Sequence, residues 1–168
     1  MRKYGPSSRG PRRPPDGTYQ ALDLSLSRGS ALPPRLQSLL WLWAERRGAA
    51  TMPPRDTFSP KDLRDWIGNL ALIETEGAFR FRLCGTNLIP RFGREATGAP
   101  VEELAGDIAE PLCAMLSTAC ATGMPVFGTA YIQIGRERFG HADLALPMAG
   151  PSGGVAIILF ASYPLGPR

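Results

Sequence analysis

The chain has 168 residues, 43% hydrophobic and 20% charged, which suffices for one domain with a real core and is too short for two comfortable ones. No run of about 18 apolar residues is present to span a bilayer, so membrane insertion is not expected. The formal charge of +4 loses its nucleic-acid meaning once located: Arg2, Lys3, Arg9, Arg12 and Arg13 supply +5 before the first acid, Asp16, and the rest of the chain nets −1. A basic groove in the folded part is thereby disfavoured.

The amino-terminal stretch "MRKYGPSSRGPRRPPDGTYQ" lacks an apolar core segment and is not a secretory signal. Its Pro, Gly, Ser and Arg content buries too little apolar surface to offset the entropy of ordering. Residues 1–29 are therefore expected to be a disordered basic tail, with Arg9, Arg12 and Arg13 as the only residues placed for loose contact with nucleic acid. The domain is expected over residues 30–165.

A helix is predicted from "LPPRLQSLLWLWAERRG", with Pro34 in the first turn, Arg46 and Arg47 near the negative end, and Gly48 as the stop. Leu36, Leu39, Leu40 and Trp43 form one apolar stripe, and Trp41 and Leu42 widen it. So greasy a helix must pack on its own domain or on a second copy of itself. In "SPKDLRDWIGN", Ser59, Pro60 and Asp62 signal the start of a two-turn helix whose buried face is Leu63, Trp66 and Ile67, with Gly68 as its stop.

"LALIETEGAFRFRLCG" reads as a hairpin around Glu76 and Gly77. Simple alternation puts Phe79, Phe81 and Leu83 on one face of its second strand and Arg80, Arg82 and Cys84 on the other. Leu88, Ile89 and Phe92 then take helical spacing. Pro111 is expected to open a firmer helix with Leu112, Met115, Leu116 and Ala119 on one face and Gly123 as its stop. Three antiparallel strands follow at about residues 126–134, 137–148 and 154–163, joined by short turns. The order makes an α+β domain with a five-stranded sheet interrupted by helices in one place.

The order strand, strand, helical insertion, three strands resembles the PAS sensor fold. The segments "LWAERRGAATMPPRDTFSPKDL", "LALIE", "FRFRLCGTNLIPRFGREATG", "GMPV" and "LALPM" resemble those of a proteobacterial single-domain PAS family first catalogued as a domain of unknown function. Arg82, Gly85, Thr86, Phe92, Gly93, Thr97 and Gly98 match that family by position, as packing and turn residues. The resemblance implies an antiparallel sheet curled around a pocket, with short helices on one face and an amphipathic helix at the amino end. Phe81, Leu83, Leu88, Ile89, Phe92, Met115 and Leu144 are then the pocket candidates, and Thr86 is placed to cap the short helix after the sharp turn at Gly85.

Chemistry beyond binding finds little support. Cys84, Cys113 and Cys120 are an odd number without a C-x-x-C pair, and they fit free thiols in a reducing cytoplasm better than disulfides or a zinc site. His141 and Asp143, two apart on a strand, share a face and are expected to be an exposed polar pair rather than partners of a nucleophilic thiol. No Asn-Cys-Arg-Phe-like run marks a flavin photosensor, and the one histidine, on a strand, does not suit a haem ligand; no cofactor or metal is expected. The chain is read as a cytoplasmic regulatory PAS-like domain, not an enzyme. It would bind a small apolar ligand or a protein partner, pair as a homodimer through Leu39, Trp41, Leu42 and Trp43, and signal through a partner. The alternative is a pure interaction module whose core is filled by its own side chains.

Overall fold

A computed structural model describes residues 17–21 and 32–166. Its frame is a six-stranded, wholly antiparallel sheet in the order β1-β4-β5-β6-β2-β3. The strands are β1 (Gly17–Ala21), β2 (Leu70–Glu74), β3 (Arg80–Cys84), β4 (Val126–Ile134), β5 (Glu137–Ala149) and β6 (Val155–Pro164). Three helices accompany them: α1 (Pro34–Arg47), α2 (Ile89–Phe92) and α3 (Gly106–Thr122). Five of the strands and α1 lie where the periodicity predicts.

The sixth strand corrects the expected tail. Gly17–Ala21 pairs with β4 over five registers, from Gly17 opposite Ala130 to Ala21 opposite Val126. An otherwise open edge of β4 supplies the hydrogen-bond partners that a Gly- and Pro-rich stretch cannot provide for itself. The remainder of 1–29, with Arg9, Arg12 and Arg13, lies outside the described residues.

The central part of the sheet is covered on both faces, which separates two cores. On the outer face, Leu36, Leu39, Leu40 and Trp43 of α1 are fully buried against Ala142, Leu144, Leu146, Leu159 and Ala161. The Trp43 indole donates to the Pro147 carbonyl at 2.9 Å, so the one polar atom of that anchor is satisfied. Pro147 is tolerated in β5 because β4 starts at Val126, opposite Ala145, leaving no neighbour there that needs a proline N–H. Residues 53–55 run beside β5 beyond that point, with Ala149 N–H donating to the Pro53 carbonyl.

Side-chain hydrogen bonds from residues 59–66 hold α1 down. The Arg46 guanidinium donates to Asp62 at 3.1 Å, and the Trp66 indole donates to the Arg35 carbonyl. Ser59 and Asp62 bond reciprocally, as their spacing predicts, and these bonds with Arg46 hold the Asp62 carboxyl down to about 2. The expected two-turn helix nevertheless does not form: residues 60–66 are turns, followed by one 3-10 turn at Ile67–Asn69. A segment this short needs an apolar face to stabilise it, and Ile67, expected inside, is 47% exposed.

On the inner face, α2 and α3 cover Ala71, Ile73, Phe81, Val126, Ala145, Ile158 and Phe160. Helix α3 begins five residues before Pro111, the expected start. An interior proline costs a helix about 3 kcal/mol, and here the buried stripe of Ala109, Leu112, Met115, Leu116 and Ala119 offsets it.

One irregularity re-sorts the residues of β3. Leu72 pairs with Leu83 and Ile73 pairs with Phe81, so Arg82 is an extra residue, a β-bulge. A one-residue slip sends every later side chain to the opposite face. Phe81 stays inside, Leu83 turns out and is 45% exposed, and Cys84 turns in against the inner core. Simple alternation predicts the reverse for Leu83 and Cys84. Gly85 then makes the turn for a steric reason rather than a dihedral one. A Cβ there would stand 2.4 Å from the Gly68 carbonyl oxygen. Thr86, expected to cap the short helix after that turn, makes no side-chain capping bond.

Candidate functional site

The inner face brings together four of the seven predicted pocket residues. Phe81, Leu88, Phe92 and Met115 all belong to one buried cluster, with Phe81 and Phe92 rings 5.1 Å apart and Phe92 6.2 Å from Phe160. These spacings are those of rings in mutual contact. Ile89 is only partly buried and belongs to neither core. Leu83 is turned out by the bulge, and Leu144 lies under α1 on the outer face, because the β5 residues alternate and Ala145 is the inward one.

A buried ion pair sits among these apolar groups, and sequence reasoning did not find it. Arg91 is 3% exposed and Asp143 is 0% exposed, and the Arg91 Nη2 donates to Asp143 Oδ2 at 2.5 Å. Helix geometry explains the Arg91 placement: Leu88, Arg91 and Phe92 fall at i, i+3 and i+4 and so share one face. That spacing was the available signal. Asp143 was expected to be solvated, but α1 covers the opposite face of β5 and α2 covers this one, so neither side of the strand is wet.

His141 shares the inward face with Asp143. Burial, together with the nearby Arg91 charge, pushes its pKa down from 6.5 to about 4, so the imidazole is neutral near pH 7. Ser162 stands opposite Asp143 on β6 and is also buried. Arg91 Nε, Arg91 Nη1 and the Ser162 hydroxyl have no hydrogen-bond partner among the described residues. Arg91 also lines a small cleft of about 10 Å³ with Asp107, Ile108 and Pro111 of α3 and Ala130, Tyr131 and Ile132 of β4. That volume is room for about one water molecule.

The thiols are not arranged for nucleophilic work. Burial raises the pKa of Cys84, Cys113 and Cys120, which keeps each protonated near neutral pH. Among the described residues, no three His, Cys, Asp or Glu side chains gather to hold a metal, and no helix is long and apolar enough to cross a membrane. Of the four residues expected to pair two chains, Leu39 and Trp43 are wholly buried under α1 and Leu42 is partly buried. Trp41 alone stands out, at 56% exposure.

An antiparallel sheet with α2 and α3 on its inner face and an amino-terminal helix on its outer face defines a PAS-like sensor fold. The PAS domain family model matches residues 32–159, and the chain belongs to the PAS family. PAS domains are generally sensory or regulatory rather than catalytic. Solved structures of low identity resemble it. The PAS domain of a protein from Colwellia psychrerythraea is 13% identical with a TM-score of 0.47, over 64% of this chain and 98% of that one. The PAS domain of BvgS from Bordetella pertussis is 18% identical with a TM-score of 0.43, over 58% and 75%. An RNA-binding light-oxygen-voltage receptor is 15% identical with a TM-score of 0.47, over 88% of this chain and 38% of that one. No curated protein matches the chain.

Proposed function

We propose that this chain is a regulatory PAS module that passes on its signal by contact with a protein partner, and that its aromatic cup is filled by its own side chains. The observation behind this reading is the closure of the inner core. Phe81, Leu88, Phe92 and Met115, the residues that would line a cavity for an apolar ligand, are each at most 3% exposed and touch one another instead. Opening room for a ligand there would break contacts in a core that tolerates small volume changes poorly. Native mass spectrometry of the purified chain, set against its denatured mass, tests the reading. Equal masses per chain are expected, and an apolar molecule released only on denaturation would overturn it.

A second copy of the chain is the partner that α1 fits, with Trp41 as the contact. Trp41 projects from the face of α1 opposite the buried stripe, so it is available without disturbing the outer core. Trp41→Ala should abolish self-association in sedimentation velocity while changing stability by no more than about 0.5 kcal/mol. Unchanged association in that variant would remove α1 as the contact.

A further inference from the structure

Helix α2 is too short to hold itself in place. Its four residues cannot offset the cost of helix nucleation, so its position depends on what it touches. Leu88, Phe92 and Ala96 of the segment 86–97 reach the inner core, and Arg91 reaches Asp143. The other side-chain ties of this segment, Asn87 to Asn69 and Arg94 to Glu103, are exposed, where water competes for them. Gly98, with a φ of 83° and open space where a Cβ would stand, returns the chain to β3, and its N–H donates to the Phe81 carbonyl. A glycine there can absorb a change of backbone direction without strain.

His141 stands next to the ion pair. It lies two residues from Asp143 on the inward face of β5, so a proton on its ring puts a second cation beside one buried anion. β4 and β6 place Ala130 and Pro164 opposite it, and β1 places Gly17 opposite Ala130, none of them charged. α2 brings Arg91, and α3 brings Asp107, exposed to water, to the small cleft that Arg91 and Ala130 line. Arg91 and Asp143 cancel while His141 is neutral. With His141 charged the layer holds a net positive charge, which apolar surroundings penalise. Asp143 and His141 are fixed in a strand paired on both sides, so Arg91, on the short helix, is the group able to reach water.

We propose that the Arg91–Asp143 pair is an acid-released latch: protonation of His141 frees α2 and uncovers Cys84, while the core under α1 stays closed. Cys84 is the group uncovered because its thiol packs on the inner core beside Glu95 and the Ala96 backbone, both in the released segment. Burial and the Arg91 charge hold the His141 pKa down to about 4 in the closed form. Release returns it toward 6.5, so opening is favoured as pH falls through that interval. The latch supplies a stimulus to a regulatory module and does not depend on how Trp41 meets a partner. Self-association through Trp41 is measured at neutral pH, with the latch closed, so either reading can fail without the other.

Each face carries its own reporter. All three tryptophans, Trp41, Trp43 and Trp66, belong to the outer side, and Cys84 belongs to the inner. Thiol exchange of the full chain with dithiodipyridine proceeds in acid as well as at neutral pH. It is followed at Cys84 by mass spectrometry and divided by the rate in the urea-unfolded chain at the same pH. The scaled rate should rise about a hundredfold between about pH 7 and pH 4, with the tryptophan emission unchanged. The rise should track the NMR titration of the single histidine ring. His141→Gln, or His141→Phe where glutamine disturbs the fold, should remove it. Cys84 still shielded at about pH 4, exposure only together with a shift in tryptophan emission, or the same rise in a folded His141 variant would each overturn the latch.

Discussion

The two faces of the sheet solve the same packing problem with different chemistry. Under α1 the buried side chains are almost all apolar, and the Trp43 indole is matched by the Pro147 carbonyl. Under α2 and α3 a charged pair lies in the apolar layer, with donors to spare on Arg91. A buried pair gains little net stability over well-packed apolar groups, because removing both ions from water costs about what their attraction returns. The outer core thus reads as the part that holds the fold, and the inner core as the part kept for a task.

That contrast can be broken most directly at Asp143. Asp143→Ala strands the Arg91 cation inside the protein and should cost about 3 to 5 kcal/mol in denaturant unfolding. Replacing both partners, Arg91→Met with Asp143→Leu, should recover most of that loss. If the double replacement is as unstable as the single, the pair itself stabilises the inner core and the contrast fails.

The outer face offers the counterpart. Trp43→Phe keeps most of the buried ring but leaves the Pro147 carbonyl without its donor, and should cost about 1 to 3 kcal/mol, checked by the same unfolding curves. A larger loss would mean that the ring volume, rather than the hydrogen bond, anchors α1.

Acid should act on the inner face first. His141 has a folded pKa near 4 against an ordinary value of 6.5, so the unfolded chain binds the extra proton between those values. The stabilising contribution is complete above about 6.5 and is lost as pH falls toward about 4. The melting temperature should decline through that window, and His141→Gln should flatten the decline. An unchanged slope in His141→Gln would assign the acid response to other groups.

The smallest expected effect concerns the thiols. With all three raised by burial, alkylation near neutral pH should be slow at Cys84, Cys113 and Cys120 alike, followed by mass spectrometry of labelled peptides. One fast cysteine would reopen a chemical role for the inner face, where Cys84 packs.

The positions of β2 to β6, the helix from Pro34 to its stop at Gly48 and the PAS family itself were legible in the linear pattern. Periodicity and turn residues act over a few positions, and the chain carries them openly. The apolar stripe of α1 was equally legible as a stripe, but whether Leu39 and Trp43 would meet a sheet or a second chain was not. A periodic apolar face fixes that it must be covered and says nothing about the cover.

The residues that matter most for the candidate site were decided at longer range. One bulged residue, Arg82, exchanged the fates of Leu83 and Cys84, because a strand keeps its two-residue period only while its register with β2 holds. Coverage of both sheet faces turned Asp143 from an expected surface group into a buried one, and α2 carried Arg91 to it across 52 positions of sequence. By itself the sequence determined β2 to β6 and the helix Pro34–Arg47, since those preferences are local, whereas β1 and the turns at 60–66 followed from what each segment could pack or pair against. Which face each side chain meets, and which charge finds which, followed only from tertiary packing, because burial belongs to the assembled layers rather than to any one of them.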